Sequence, residues 1–360
     1  MKKTLYILTL IILSVNSIAQ NKYSEIEKFL GAVGFIKDTK ILKEKIDSVD
    51  YEVWLKHGNK LFPKTYDQTG TCFFVHTEFD LYLVTANHVA NFTTKNTMIT
   101  ISSTNDVPLT FKLGDIIKDK TKLNWTSHPK ADVSVIELDS ISIFKGLKGC
   151  YVPFDMINHN LEAPFREREV TAYGYPLSLG VGQKFSSITK TSKPSSSLIE
   201  LERFDNKVKT IFFLLDDPSV SGFSGGPVFE LPQEIGSGKN KIFVQVNRIV
   251  GLVHGSISNR GGGFAAIVPS VYIKETIENA PGYNGEFKFK YPSGELWSVW
   301  IYKNGVPWTV ISNYTVDGIK QEKGTLFEGT GTLYIYDKDG KLIQIKTYDK
   351  GHLIDTKEIK

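Results

Sequence analysis

The sequence is short of the features that define several large functional classes. Its only cysteines are Cys72 and Cys150. No cluster of His, Cys, Asp or Glu has the spacing of metal ligands, so neither a metal nor an organic cofactor is implied. Charges nearly balance, with 43 Lys and Arg against 39 Asp and Glu and a formal net charge of +4. With no basic block, nucleic-acid binding has no electrostatic footprint. Long apolar runs are missing too: Leu5 to Leu13 is too short to span a bilayer.

That run follows Lys2 and Lys3 and precedes Ser17-Ile18-Ala19, so residues 1–19 read as a secretory signal peptide cut before Gln20. Losing the two lysines takes the formal charge from +4 to +2 and leaves no integral membrane segment. No cysteine follows the cut, which argues against a lipoprotein anchor. Export to a periplasm or beyond the cell is expected. It permits a disulfide, so Cys72 and Cys150 are either a bridge or two buried small hydrophobic residues.

With 41% hydrophobic residues in 360, the chain is long and apolar enough for two packed domains. Residues 20–60 read as a helical extension. Ser24-Glu25-Ile26-Glu27 has capping-box spacing, and Ile26, Phe29, Leu30 and Val33 recur at helical intervals. The extension is either a propeptide or a helix packed on the outside of the domain that follows.

From 61 to 279 the period changes to short β-rich runs divided by Gly, Pro, Asn and Asp. The strand signal lapses between Pro153 and Pro164, which separates two halves, and Lys184 to Ser197 reads as a loop or frayed hairpin. A helix from Ser270 to Asn279 closes the second half. Ala280-Pro281-Gly282 is a boundary. Beyond it, over 283–360, glycines at 294, 305, 318, 329, 340 and 351 each follow an aromatic residue by two to four positions. These units are expected to be β-hairpins with glycine turns that stack to bury their faces.

Chemistry is concentrated in three segments. In Ser221-Gly222-Phe223-Ser224-Gly225-Gly226-Pro227 a serine stands between glycines, so its hydroxyl lies beside bare backbone amides, as acyl transfer requires. A serine needs a base, and the base needs a group that holds its tautomer. His88 ends the apolar run Leu83-Val84-Thr85-Ala86-Asn87, and Asp132 opens Val133-Ser134-Val135-Ile136. His76 and His128 are rival bases without the Thr-Ala lead-in, and as turn histidines they are expected to be solvent-exposed.

In the order His, Asp, Ser, these segments resemble the trypsin-like (chymotrypsin-fold) serine peptidases, especially their exported bacterial branches. Gly70-Thr71-Cys72-Phe73-Phe74-Val75, Tyr173-Gly174-Tyr175-Pro176 and Ile249-Val250-Gly251-Leu252-Val253 are similar to further segments of that family. The resemblance runs from about 65 to 279. It implies a mainly β chain with two antiparallel β-barrels of chymotrypsin type and a cleft between them. His88 would be the base, Asp132 its orienting group and Ser224 the nucleophile, with the amides of Gly222 and Ser224 as the oxyanion hole. The tail is similar to MORN-like repeats, and over 283–360 it is either a surface for a protein or surface partner or a structural appendage.

The resemblance also bears on specificity. Pro218 stands where trypsins that cut after Lys or Arg have a carboxylate, and Ser219 follows it. Val253 is expected to line the pocket, while His254, one place later, is expected to face Asp132. A preference for medium-sized uncharged residues follows, with Glu preference through His254 as the alternative. The expected function is an exported serine endopeptidase acting on polypeptides. The alternative is a non-catalytic binding protein on a peptidase fold, with the repeats as its working surface.

Overall fold

The computed structural model describes residues 31–359 except 59, 78, 103–106, 140–146, 148–149, 231–232, 236–241, 245–247, 260–261, 283, 292 and 338. The signal-peptide reading and the capping box at Ser24 lie outside the described residues. The chain divides into two compact units, meeting in sequence at Asn279 and Ala280.

The first unit opens with β1 (Val33–Ile41), β2 (Lys43–Ile46), β3 (Val49–Glu52), β4 (Trp54–His57), β5 (Lys60–Pro63), β6 (Thr65–His76) and β7 (Leu81–Thr85). It continues with β8 (Met98–Ser102), β9 (Pro108–Lys112), β10 (Thr126–Ser127), β11 (Ser134–Leu138) and β12 (Val152–Pro153). Strands β10, β11, β7, β6, β1, β8 and β9 lie side by side in that order, all antiparallel, and β12 adds to β6 in parallel. Every residue of β7 is buried, as is Cys72 to Val75 of β6, which is why these segments read as continuous apolar runs rather than alternating ones.

The helical reading of 20–60 is corrected from Val33 onward. Val33 pairs with Phe73 and Ile41 with Thr65, so β1 is a strand inside the sheet, and Val33, Phe35 and Ile36 are core residues. Local periodicity cannot reveal a partner some forty positions away, and sheet pairing overrides a weak helical pattern. Cys72 and Cys150 are not joined by a disulfide. Cys72 is fully buried, and that burial pushes its thiol far above the usual range.

The second half adds β13 (Val170–Gly174), β14 (Ile188–Ser192), β15 (Ile199–Glu202), β16 (Lys209–Leu215), β17 (Pro227–Glu230), the hairpin β18 (Gln233–Ile235) and β19 (Ile242–Val244), β20 (Arg248–Asn259) and β21 (Gly262–Pro269). A seven-stranded antiparallel sheet runs β14, β13, β17, β20, β21, β16, β15. Within Lys184 to Ser197, β14 is paired with β13 along all five of its residues. Helix α1 (Asn87–Ala90) follows β7, and α2 (Val271–Asn279) closes the unit. The protein is thus mainly β, with two barrel-like antiparallel sheets of the kind the resemblance implies.

The second unit holds a four-stranded sheet, β22 (Gly285–Lys290), β23 (Leu296–Lys303), β24 (Val306–Tyr314) and β25 (Lys320–Gln321), and a three-stranded one, β26 (Gly331–Tyr336), β27 (Leu342–Asp349) and β28 (His352–Glu358). All six glycines singled out above have positive φ, between 76° and 102°, the conformation in which a Cβ is disfavoured. Tyr291, Tyr302, Tyr336 and Tyr348 are buried, whereas Phe327 is exposed. Val310, Leu326, Leu333 and Tyr348 form the core of this unit.

Candidate active site

The site is assembled from turns at strand ends. His88 lies on α1, one turn beyond β7, and its backbone N–H donates to Asp132 Oδ1 at 3.0 Å. Its ring Nδ1 is 2.7 Å from Asp132 Oδ2. Nδ1–H donating to a carboxylate leaves Nε2 of the neutral ring as the acceptor, the tautomer a general base needs. Asn87, on the same turn, accepts from Ser134 Oγ at 2.8 Å and ties α1 to β11.

Asp132 is completely buried. Burial alone would raise its carboxyl, but hydrogen bonds from His254 and His88 outweigh that cost and hold it well below the usual carboxylate range. His254 Nδ1 lies 2.5 Å from Asp132 Oδ2, and Arg203 Nη2 donates to Oδ1 at 3.0 Å. Each carboxylate oxygen therefore accepts two hydrogen bonds, and its lone pairs are filled. His88, Asp132 and His254 come close enough together to suggest a metal site. Their donor set does not fit one, because the carboxylate is saturated by N–H groups and a guanidinium stands against it.

Arg203 and its neighbours were not legible as site residues. Arg203 is buried, and its guanidinium donates to Asp205 Oδ1 at 2.9 Å and Oδ2 at 2.5 Å as well as to Asp132. Asp205 thus gives the guanidinium a second counter-charge beside Asp132. Phe204, between them in sequence, packs its ring 4.9 Å from His88 and 4.2 Å from His254. The only sequence signal was the alternation Arg203-Phe204-Asp205 inside a β-rich half.

His254 reaches Asp132 because β20 is bulged there. Val253 pairs with Ile267 and Gly255 with Ala266, so His254 is the extra residue. A bulge re-aims one side chain without shifting the rest of the strand. Val253 lines a small cavity with Pro218, Ser219, Phe223, Ala265 and Ile267, to which Lys190 and Asp217 also contribute. Val253, Phe223, Ala265 and Ile267 belong to the core cluster of this sheet, which makes most of that wall apolar. His254 is not among the cavity's lining residues.

Ser224 is half-buried and flanked by Gly222 at φ +103° and Gly225 at φ +87°. A Cβ on Gly222 would lie 2.4 Å from Tyr175 O, and one on Gly225 would lie 2.2 Å from Thr71 O, so both space and conformation require glycine. Thr71 clamps this turn: its N–H donates to Ser224 O at 2.9 Å and its hydroxyl to Gly222 O at 2.6 Å. Among the described residues the N–H groups of Gly222 and Ser224 donate to no carbonyl. Ser224 Oγ donates to His254 O at 3.1 Å, and no hydrogen bond joins it to His88 among the described residues.

No protein-family model and no curated protein matches the chain. Among solved structures it is similar to the MamO protease domain from Magnetospirillum magneticum, at 12% identity over 69% of this chain and 96% of that one, with a TM-score of 0.41. It is also similar to the HtrA-type protease AlgW with decapeptide, at 15% identity over 92% and 96% with a TM-score of 0.39. Human heparin binding protein is a further likeness, at 9% identity over 70% and 92% and a TM-score of 0.39. None of these likenesses bears on the chemistry of the side chains described above. No helix among the described residues is long and apolar enough to cross a membrane.

Neither rival histidine belongs to the site. His76 packs its ring against Tyr151, tilted by 38° with centroids 4.8 Å apart. His128, expected at the surface, is buried: its Nδ1 accepts from Ala131 N at 2.8 Å and its Nε2 donates to Glu275 Oε2 at 3.0 Å. It joins the turn carrying Asp132 to α2. Burial lowers its affinity for a proton more than Glu275 restores it. With the folded value lowered, the unfolded chain takes up the proton first, so this stabilisation is complete above about pH 6.5 and declines below it. The stability difference between wild type and His128→Gln is expected to shrink between pH 7.5 and 5 in urea unfolding. A difference independent of pH would overturn this account.

Proposed function

We propose that the chain is an exported serine endopeptidase of trypsin-like type. His88 acts first as general base and then as general acid, Asp132 orients it, and Ser224 attacks the scissile carbonyl. The amides of Gly222 and Ser224 receive the oxyanion. The observation that carries this reading is the His88 Nδ1 contact to a buried, ionised Asp132 at 2.7 Å, with the glycine-flanked Ser224 hydroxyl nearby on His254 O. In attack the Ser224 hydroxyl turns from His254 O to His88 Nε2, and catalytic hydrogen bonds commonly tighten only when substrate is bound. The proton passes to His88 as Oγ bonds to the carbonyl carbon, and it then goes to the leaving amine.

The same Ser224–His254 bond favours a second reading, a non-catalytic binding protein in which the hydroxyl is held away from the base. Incubation with a fluorophosphonate separates the two: covalent labelling at Ser224 supports the peptidase, and failure to label the folded protein supports the other. In either case the MORN-like tail would provide the contact with a protein or a surface.

His254 turns its Nδ1 to Asp132 and does not line the cavity that holds Val253, and Pro218 offers no anion to a basic side chain. Cleavage of a peptide library is expected to favour medium-sized uncharged residues before the cut bond. A profile dominated by Glu and lost in His254→Ala, or one dominated by Lys or Arg, would refute this.

A further inference from the structure

Between β1 and β6 the chain leaves the first sheet and builds two hairpins, β2–β3 and β4–β5. They spring from a junction closed by three backbone hydrogen bonds, Leu42 N–H to Lys64 O, Lys64 N–H to Val53 O and Val53 N–H to Leu42 O, at 2.7–2.9 Å. Apart from Pro63, every residue of these four strands is exposed. Two-stranded hairpins without a core are marginal in water. The first also turns through Asp47 and Ser48, both at positive φ, 51° and 68°, which is unfavourable for residues bearing a Cβ.

The exposed side chains are not those of a solvated loop. In β2–β3 the register places Ile46 opposite Val49 and Tyr51 opposite Glu44, while the alternate pairs, Lys43 with Glu52 and Lys45 with Asp50, are charged. Ile46, Val49 and Tyr51 therefore share one exposed face with Glu44. In β4–β5, Leu55 faces Phe62, and Trp54 and Leu61 lie on the other face. These seven residues are 49–63% exposed. At roughly 200 Å² each, the five on the Ile46 and Leu55 faces present on the order of 500 Å², which the polar side chains among them extend toward the ~800 Å² per partner of a stable protein interface.

Charge identifies the partner. The first hairpin, 43–52, carries two lysines against four carboxylates, whereas the second, 54–63, carries Lys56 and Lys60 and no carboxylate. On the faces that carry the apolar residues these charges are Glu44, beside Ile46, Val49 and Tyr51, and Lys60, beside Leu55 and Phe62, so the first hairpin of one arm complements the second hairpin of another. We propose that residues 41–66 form a self-association surface, through which two copies of the chain dock their arms about a two-fold axis. The first hairpin of each lies on the second hairpin of the other, a self-complementary contact that closes at the dimer. Four carboxylates on one hairpin make an anionic membrane an unfavourable alternative.

The purified protein is expected to show twice the mass of one chain in sedimentation equilibrium, and Leu55→Glu/Phe62→Glu the mass of one. Lys60→Glu sets like charges against Glu44 of the other copy, and Glu44→Lys sets them against its Lys60. Each is expected to be monomeric alone, and their equimolar mixture to regain the dimer. A wild-type monomer at every concentration would overturn the proposal, whether or not it binds phosphatidylserine vesicles. So would a dimer indifferent to these substitutions, or a mixture that stays monomeric.

Discussion

Ser224→Ala is expected to abolish fluorophosphonate labelling and to lower peptide turnover by about six orders of magnitude, because the remaining groups of a triad cannot act without the nucleophile. The fold should survive. The Ser224 hydroxyl makes one hydrogen bond, to His254 O at 3.1 Å, and such a bond contributes about 1 kcal/mol. The turn itself is held by Thr71 through Ser224 O and Gly222 O, contacts that alanine leaves in place. Purified variant with undiminished cleavage and an unchanged unfolding curve would rule out Ser224 as the nucleophile.

Arg203→Met is expected to destabilise the protein by roughly 3–5 kcal/mol, the usual cost of removing one partner from a buried ion pair. Arg203 is 1% exposed, and its guanidinium joins two carboxylates, Asp132 and Asp205. Without it, Asp205 loses its cation and Asp132 loses one of four donors, and the two negative charges face each other in a medium that screens them poorly. Arg203→Met/Asp205→Leu should recover part of the loss, since replacing both members of a buried pair is far less costly than removing one. The measurement is the urea midpoint. A single variant within about 0.5 kcal/mol of wild type, or a double variant weaker than the single one, would show that Arg203 serves as packing rather than as a counter-charge.

What could be read from the sequence followed from local physics. Glycine at 294, 305, 318, 329, 340 and 351 marked turns because a left-handed conformation excludes most other residues, and each has positive φ. The apolar runs at Leu81 and Val133 marked buried strands because removing such side chains from water dominates the free energy of folding. Serine between glycines, a histidine after an apolar run and an aspartate before one suggested a chemistry, since few other arrangements make a hydroxyl reactive.

Tertiary structure alone decided the rest. Val33–Ile41 is a strand because Thr65–His76 and Met98–Ser102 lie on either side of it, and a pairing between distant segments leaves no local trace. His254 meets Asp132 through a bulge in β20, a single-residue change of register that no alternation pattern encodes. Arg203 became a core residue only because two carboxylates converge on it. A buried charge is tolerable when its counter-charges are already in place, and their positions are set by the fold as a whole.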